Sequence, residues 1–324
     1  MLKTRIYLQY LIILLDDTSV AFCHANNPLK EPSLIPLETL RKAILFGMKN
    51  NLMIQYVYPD YELPNEYNEL IESIDHIKIG RELKIYNQVP NEIQCENFVL
   101  RLAMSEFISH KNEIAELLEK VTRLNICFTD IESFKDDQIE GYKQALGVLN
   151  DEIVRLHGLK KDPQVNILTD RLVLSEMHNC NAGIGNITIA PNGKLYLCPA
   201  FYYDEKMGVS NQMNFRTKES IWSIAELNDA LENGFEIPNK HLLTLDKAPL
   251  CRECDAFHCN RCIWLNRKLT WDNNTPSHQQ CVISHIERNA SRELQQKLKS
   301  IGEDFETEIP EINYLDPFDV RKEY

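Results

Sequence analysis

Short apolar runs alternate with amphipathic stretches from the N-terminus to about residue 180. Each run is rich in β-branched, leucine and aromatic residues and has the length of a buried strand, so each predicts a β-strand. The predicted strands cover residues 7–15, 52–58, 74–79, 98–103, 124–128 and 165–168.

Between these runs, apolar residues recur three and four positions apart, which indicates amphipathic helices. The recurring positions are Leu37, Leu40, Ile44 and Met48, then Ile114, Leu117, Leu118 and Val121, then Ile139, Tyr142, Leu146, Leu149, Ile153 and Leu156. Apolar strands separated by helices predict an α/β fold with a parallel sheet covered by helices. Six such units fit a partial barrel as well as an open doubly wound sheet, and periodicity does not distinguish the two.

The pattern changes after residue 180. Two alternating runs, residues 186–191 and 194–198, flank Asn192-Gly193, and this pair predicts a β-hairpin. A short helix is predicted over residues 220–231, followed by an irregular cysteine-rich loop over residues 251–262. A final helix carries Val282, Ile286, Ala290, Leu294 and Leu298 along one side. The acid-rich residues 301–324 are predicted to be a solvated tail, with a docking strip for a cationic partner as the alternative.

The charge balance excludes one class of partner. The 324 residues include 35 Lys and Arg against 48 Asp and Glu, for a net charge of −13, with no basic stripe, so we expect no nucleic-acid partner. The apolar run over residues 7–15 is too short to cross a bilayer, and Asp16-Asp17 follows where a signal peptide has small residues. We therefore expect no membrane partner and a cytoplasmic location, where the ten cysteines are thiols or metal ligands rather than a disulfide framework.

Four of the ten cysteines lie in one short motif, Cys251-x2-Cys254-x4-Cys259-x2-Cys262. Two-residue gaps let the chain reverse between ligands, so this spacing indicates a soft-metal site. With the remote Cys180, Cys198 and Cys281, seven thiols are available, more than one zinc ion needs, and two iron–sulfur centres account for them better. His178 or His258 is an alternative non-cysteine ligand, although an ordinary polar surface role is favoured for both.

The order of these seven cysteines, with Gly193 between the first two, resembles the SPASM extension of radical SAM peptide-modifying enzymes. That resemblance implies a partial (β/α)6 barrel followed by a cysteine-rich domain that holds two auxiliary 4Fe–4S clusters. It assigns Cys251, Cys254, Cys259 and Cys281 to the outer cluster. It assigns Cys180, Cys198 and Cys262 to the inner one.

The first strand carries a departure from that family. Radical SAM enzymes hold their catalytic cluster with Cys-x3-Cys-x2-Cys after this strand, and here Asp16 and Val20 stand in the first two places, leaving Cys23 alone. Neither aspartate nor valine replaces a thiolate on a soft cluster, so the usual reductive SAM chemistry is not expected. Whether SAM binds stays open.

The runs LIILLDDTSVAFCH, NLMIQYVYPDYELP and IESIDH are similar to those of the CXXX repeat peptide maturases. This likeness covers essentially the whole chain and implies a role in maturing a ribosomally made cysteine-repeat peptide. It implies that precursor peptide as a partner, together with an intact radical SAM maturase paralogue. The predicted domains are a barrel over residues 1–179, a SPASM-like metal-binding domain over residues 180–300 and the tail over residues 301–324.

Acidic residues follow several of the predicted strands, at the edge where β/α barrels carry out chemistry. They are Asp16, Asp17, Asp60, Asp130 and Asp170, and Cys23 and His24 lie nearby in the sequence. A helix-capping role is favoured for Asp130 and Asp170, because short side-chain oxygens bind the free amides of a helix N-terminus. Asp16, Asp17 and Cys23 are the candidate catalytic residues, since packing does not require three polar groups directly after a buried strand.

Three hypotheses follow. The first is a peptide maturation factor with two iron–sulfur clusters and a degenerate barrel that positions the peptide. The second is a non-catalytic recognition or scaffold subunit whose cysteines hold structural zinc while a separate enzyme modifies the peptide. The third is an enzyme with a hard-metal site built from the carboxylates at the barrel end.

Overall fold

A computed structural model describes residues 8–174, 177, 180–208, 222–306 and 308–309. The chain forms two compact units, and each combines an early with a late segment. Unit 1 comprises Met1–Leu83 and Asn181–Thr244, and unit 2 comprises Lys84–Cys180 and Leu245–Tyr324. The sequence predicts a barrel that ends at residue 179 and a SPASM-like domain that ends at residue 300. These two limits stay a prediction.

Strands and helices alternate through much of both units. The strands are β1 (Tyr10–Leu14), β2 (Met53–Val57), β3 (His76–Ile79), β4 (Lys84–Tyr86), β5 (Asn97–Leu102), β6 (Arg123–Phe128), β7 (Gln164–Val165), β8 (Asn186–Ile189), β9 (Lys194–Tyr196) and β10 (Ser223–Glu226). The α-helices are α1 (Leu37–Lys49), α2 (Asn65–Ile71), α3 (Met104–Ser109), α4 (Lys111–Leu117), α5 (Ile139–Gly158), α6 (Pro199–Lys206), α7 (Leu227–Asn233), α8 (Pro249–Arg252), α9 (Ile263–Thr270) and α10 (His278–Ser300).

Unit 1 contains a six-stranded sheet in the order β10-β9-β8-β1-β2-β3. β1 lies inside this sheet and pairs in parallel with both β2 and β8, so Leu11 stands opposite Ile54 on one side and Ile187 on the other. Leu11, Ile13 and Leu14 are fully buried, as expected for a strand that is covered on both faces. The first apolar run of the sequence thus forms the core of this unit.

Helix α1 packs closely on this sheet through Gly47. A Cβ atom on Gly47 would lie 2.9 Å from the Ile54 side chain and 3.2 Å from the Leu11 side chain, so a larger residue there would require these side chains to shift. Leu40, Ala43, Ile44, Phe46 and Gly47 are buried in the helix. Met48, which the periodicity places on the apolar face, is 62% exposed instead.

The predicted hairpin is confirmed as the antiparallel pair β8–β9. Gly193 adopts a φ of +75°, a conformation that glycine adopts without strain, and its amide donates to Ala190 O at 2.9 Å. The side chain of Asn192 accepts from the amide of Lys194 and donates to the Tyr196 hydroxyl. The turn chemistry therefore fixes the register of the two strands.

Unit 2 contains a parallel four-stranded sheet in the order β4-β5-β6-β7. Helix α5 covers it with Tyr142, whose ring meets Phe107 and Phe128 edge-on at centroid distances of 5.7 and 5.5 Å. Helix α10 packs against α5. The Asn150 side chain on α5 donates to the carbonyl of Ala290 on α10 at 2.8 Å, which ties the two helices together.

The sixth predicted strand, residues 165–168, is wrong beyond Val165, where β7 ends. The side-chain amide of Asn166 accepts from the Ile126 amide at 2.7 Å and donates to the Ile126 carbonyl at 2.9 Å. A side chain thus takes the ladder position that the backbone of a continuing strand would occupy. The chain turns there, and the Leu168 amide bonds back to Val165 O.

The predicted helix over residues 220–231 is also wrong in part. Residues 220 and 221 lie outside the described residues, and Ser223–Glu226 forms strand β10, which pairs antiparallel with β9. The helix begins only at Leu227, whose amide donates to Gly193 O. Pairing with an open sheet edge overrides the helical periodicity, because strand formation depends strongly on its neighbours.

The structure confirms a mixed α/β fold with parallel sheets. The partial (β/α)6 barrel and the SPASM-like nature of the C-terminal part stay predictions. Within the described part of the chain, no helix is both long enough and apolar enough to cross a membrane. Most of the predicted acidic tail, residues 310–324 and residue 307, lies outside the described residues.

Candidate functional site

Four of the predicted metal-ligating cysteines lie together in unit 2. Cys251 is on the short helix α8, Cys254 and Cys259 lie in the irregular chain that follows, and Cys281 is on the first turn of α10. Burial raises the pKa of Cys281 well above its usual range, and the charges of Cys259, Cys251 and Cys254 raise it further. The four thiols are therefore close enough to interact electrostatically.

The pKa values of the Cys251 and Cys254 thiols are also raised. Burial is the main cause that raises the pKa of Cys251 to about 12 and that of Cys254 to about 11, and the charge of Cys259 contributes to both values. Thiols with such pKa values are protonated at neutral pH when no metal is bound. A soft metal would displace these protons, because the thiolate is the form that binds metal.

Two backbone amides point at sulfur atoms of the cluster. The Ala256 amide donates to Cys254 Sγ and the Arg261 amide donates to Cys259 Sγ, both at 3.4 Å. Each donor lies two residues after its acceptor, so each turn brings an amide onto the sulfur that precedes it. These contacts lower the pKa of Cys254 and Cys259 against the larger effect of burial, and they favour thiolate charge.

Helix α10 holds the cysteine loop in place. Its N-terminus is capped by the Ser277 hydroxyl, which accepts from the Gln280 amide at 3.1 Å. The Gln280 side chain accepts in turn from the Cys262 amide at 3.3 Å. Further along the helix, Arg288 donates twice to Asp255 Oδ2, at 2.9 and 2.5 Å, and Asp255 directly follows Cys254.

The three predicted inner ligands are divided between the units. Cys180 and Cys262 belong to unit 2, and the Cys180 amide donates to Asn260 O at 3.3 Å, so Cys180 lies beside the cysteine loop. Cys198 belongs to unit 1, where it precedes α6. A shared centre for Cys180, Cys198 and Cys262 therefore stays a prediction.

The sequence offered His258 and His178 as alternative metal ligands. His258 Nε2 lies 3.3 Å from Asp170 Oδ2, so this ring is paired with a carboxylate. His178 lies outside the described residues. A histidine that the sequence did not indicate, His285, places its Nε2 3.7 Å from Cys254 Sγ.

The donor chemistry of this cysteine cluster fits a soft metal centre. One buried and three partly buried thiols, with two sulfur-directed amides, suit iron–sulfur ligation, and thiolates also suit zinc. No group of three or more His, Cys, Asp or Glu side chains in the described ranges is positioned to hold a single metal ion. The four sulfurs thus share one region without converging on one ion.

The first candidate catalytic residue, Asp16, lies shortly after β1 in unit 1 and is fully buried. Its Oδ1 accepts from the amide of Thr18 at 2.8 Å and from the Thr18 hydroxyl at 2.5 Å. Its Oδ2 accepts from the Tyr61 hydroxyl at 2.8 Å. Protein donors therefore contact both carboxylate oxygens.

The neighbouring carboxylate, Asp17, is 5% exposed and contacts helix α6. Its Oδ1 accepts from the Tyr202 hydroxyl and its Oδ2 lies 2.8 Å from Lys206 Nζ. Burial, and then the hydrogen bond to Asp17, raise the pKa of Tyr202 far above its usual range, so this phenol stays protonated. The chain continues through Ser19, whose carbonyl accepts from the Tyr203 hydroxyl at 2.8 Å.

The third candidate, Cys23, is half-buried and its Sγ lies 3.7 Å from Ala25 O. In the sequence resemblance to radical SAM enzymes, Asp16, Val20 and Cys23 stand where that family has its three cluster ligands, and together they offer one thiol. The Asp16 carboxylate is engaged by hydroxyls and an amide, and Val20 has no ligand atom. These residues do not fit a site-differentiated iron–sulfur cluster, which needs three thiolates.

The other carboxylates that follow predicted strands are Asp60, Asp130 and Asp170. Asp60 is exposed. Asp130 makes no side-chain cap bond to the short helical turn that it precedes, so capping at that place is not confirmed; its carboxylate accepts instead from the amide of Met104, the first residue of α3, at 2.8 Å. For Asp170 the capping prediction is wrong. It forms a two-pronged ion pair with Arg123 at 3.1 and 2.7 Å, which fixes the carboxylate against β6.

Sequence reasoning missed the partners of both sites. Ser284, His285 and Arg288 follow Cys281 at intervals of three, four and seven residues, so helical spacing from that cysteine was the available signal. The partners of Asp17, Tyr202 and Lys206, had no such signal, because they lie far away in the sequence.

The fold is similar to that of a radical SAM enzyme. The chain matches native anSMEcpe, an anaerobic sulfatase-maturating radical SAM enzyme with bound AdoMet, with a TM-score of 0.55 and 13% sequence identity. The match covers 90% of this chain and 100% of that chain. A polyhistidine-tagged form of the same protein, also with bound AdoMet, gives a TM-score of 0.49 and 11% identity over 90% of this chain and 99% of that one. No protein-family model and no curated protein matches the sequence.

Proposed function

We propose that the protein is a maturation factor for a ribosomally made cysteine-repeat (CXXX) peptide. It binds two auxiliary 4Fe–4S clusters through a SPASM-like set of cysteines and acts without the usual radical SAM cluster. The observation that carries this proposal is the contact of the cysteine loop with helix α10, where Cys254 Sγ lies 3.7 Å from His285 Nε2, one helical turn after Cys281. The radical SAM-like fold supports the same class of protein.

Cys251, Cys254, Cys259 and Cys281 would hold the outer cluster. A four-iron cluster is wider than a single ion, so its ligand sulfurs are farther apart than the ligands of one metal ion. One loop and one helix supply the four cysteines that such a cluster takes. When bound, such a cluster supplies a centre for electron transfer or for a substrate thiolate.

The inner cluster would use Cys180, Cys198 and Cys262. Three thiols leave one position of a four-iron cluster without a cysteine. That position suits a thiol-rich substrate, because sulfur is the preferred partner of such a centre. The contact between Cys180 and Asn260 supports a place for Cys180 beside the loop that carries Cys262.

The loop after β1 would have a different role from the one it has in radical SAM enzymes. Its two aspartates are buried among tyrosine, threonine and lysine donors, which hold the loop in one conformation. We assign Asp16 and Asp17 to holding this loop in place, and Cys23, the half-buried member of the three, to contact with the peptide.

A second candidate function is a non-catalytic recognition or scaffold subunit with structural zinc, working with an intact radical SAM maturase. The short distance between His285 Nε2 and Cys254 Sγ, 3.7 Å, favours it, because zinc accepts mixed nitrogen and sulfur ligands.

Binding of a cysteine-repeat peptide tests the proposed function. The probe is a fluorescently labelled synthetic peptide with cysteine at every fourth position, titrated without oxygen against the metal-loaded full chain. The control is the same peptide with every cysteine replaced by serine. We expect about tenfold weaker binding of the serine peptide, equivalent to about 1.4 kcal/mol. Equal affinities for the two peptides, or no binding of either, would contradict the proposal.

A further inference from the structure

One side of helix α10 faces the cysteine loop with four polar residues. Cys281, Ser284, His285 and Arg288 are spaced by three, four and seven positions, which places them on the same side of an α-helix. Ser284, His285 and Arg288 are 4%, 7% and 2% exposed. Buried polar side chains are costly unless they find partners, so their contacts explain their presence.

Two of these residues contact sulfur atoms of the cluster. The Ser284 side chain is hydrogen-bonded to the Cys259 thiol. His285 Nε2 lies 3.7 Å from Cys254 Sγ, within the range of a hydrogen bond to sulfur. Each contact therefore reaches a different one of the four proposed outer ligands.

Arg288 fixes the distance between helix and loop. It pairs with Asp255 through Nε and a terminal nitrogen, and the Arg288 and Asp255 side chains are 3% and 15% exposed. A paired guanidinium and carboxylate define both distance and angle. The Cys254 sulfur is thereby held opposite His285.

We propose that Ser284 and His285 are positioning residues of the outer metal centre, which donate hydrogen bonds to the sulfurs of Cys259 and Cys254. This inference rests on the proposed function. Hydrogen bonds to ligating sulfurs stabilise the more negative, reduced state of an iron–sulfur centre and orient its ligands. Helix α10 thus supplies one ligand, Cys281, and two donors that tune the others.

The test compares variants of the full chain purified without oxygen. Ser284→Ala and His285→Phe each remove one donor, and His285→Gln keeps an N–H group near the same place. Ser291→Ala is the matched control, because Ser291 is a buried serine of the same helix whose hydroxyl bonds to Leu168 O and Glu287 O instead. The readouts are iron content, the reduction midpoint followed by visible absorption, and the rate of iron loss to a chelator.

We expect wild-type iron content in all these variants. The midpoint shifts to lower potential in Ser284→Ala and His285→Phe, and iron loss accelerates by about 10- to 100-fold, the effect typical of outer contacts of a metal site. His285→Gln restores part of the wild-type behaviour, and Ser291→Ala matches wild type.

Three results would overturn the inference or its basis. Midpoints and release rates equal to those of Ser291→Ala would show that the donors have no influence. Complete loss of the outer centre in His285→Phe, not restored in His285→Gln, would make His285 a ligand. A wild-type protein that carries no iron would contradict the proposed function itself. If that protein holds zinc, the rates of zinc loss to a chelator in the same variants still test the two hydrogen bonds.

Discussion

Replacing Cys281 with alanine is expected to remove the outer metal centre and to destabilise unit 2. Cys281 is the one proposed outer ligand that lies on α10, and its thiol interacts with those of Cys251, Cys254 and Cys259. Without the Cys281 thiol, the metal no longer links the cysteine loop to helix α10. We expect about four fewer iron atoms per chain than in wild type. Because metal-binding energy in such sites is also folding energy, the melting temperature falls with the metal content.

Cys127→Ala is the matched control for this prediction. Cys127 is a cysteine of the same unit on strand β6, it is 3% exposed, and it is not a proposed ligand. Its replacement leaves a small cavity, which costs about 1 kcal/mol, and should leave the iron content unchanged. Equal iron content in Cys281→Ala and Cys127→Ala would refute the assignment of Cys281.

Replacing Arg171 with methionine should have the second-largest effect, on folding stability. The Arg171 and Glu287 side chains are 1% and 8% exposed and their charged atoms lie 3.2 Å apart. Tyr142 on α5 also donates to Glu287, at 2.8 Å, and Arg171 donates to Ile167 O at 2.8 Å. Removing Arg171 leaves a buried carboxylate without its cation, and the expected loss is about 3–5 kcal/mol in the free energy of unfolding by urea.

Arg155→Met is the control for this second prediction, because Arg155 makes its ion pairs with Glu119 and Glu152 at the surface. Such exposed pairs contribute little to the free energy of unfolding. Combining Arg171→Met with Glu287→Gln should recover part of the loss, since the amide keeps an acceptor for Tyr142 and carries no charge. Equal unfolding free energies for Arg171→Met and Arg155→Met would mean that the buried pair does not support the position of α10.

The apolar pattern predicted most strands and long helices because their residues are buried for local reasons. The apolar sequence is continuous in β1 and periodic in α5, and in both elements the apolar residues are the ones that are buried. The two wrong elements depend on distant partners. Asn166 ends β7 by bonding to Ile126, and Ser223–Glu226 becomes a strand because β9 offers a free edge. Neither partner can be found by reading the residues around the element.

The candidate sites show the same division. The spacing Cys251-x2-Cys254-x4-Cys259-x2-Cys262 already indicates a soft-metal loop, because two-residue gaps let the chain reverse between ligands. The contacts from Ser284 and His285 required the packing of α10 against that loop. The burial of Asp17 beside Lys206 required the fold of unit 1, which brings residues from opposite halves of the chain together.

The metal content of the wild-type protein, purified without oxygen, tests the central claim most directly. Iron, acid-labile sulfide and zinc are measured per chain together with the visible spectrum. Two 4Fe–4S clusters predict about eight iron and about eight sulfide per chain with broad visible absorption. A colourless protein with one or two zinc ions per chain, or with no metal, would contradict the claim that these cysteines hold iron–sulfur clusters.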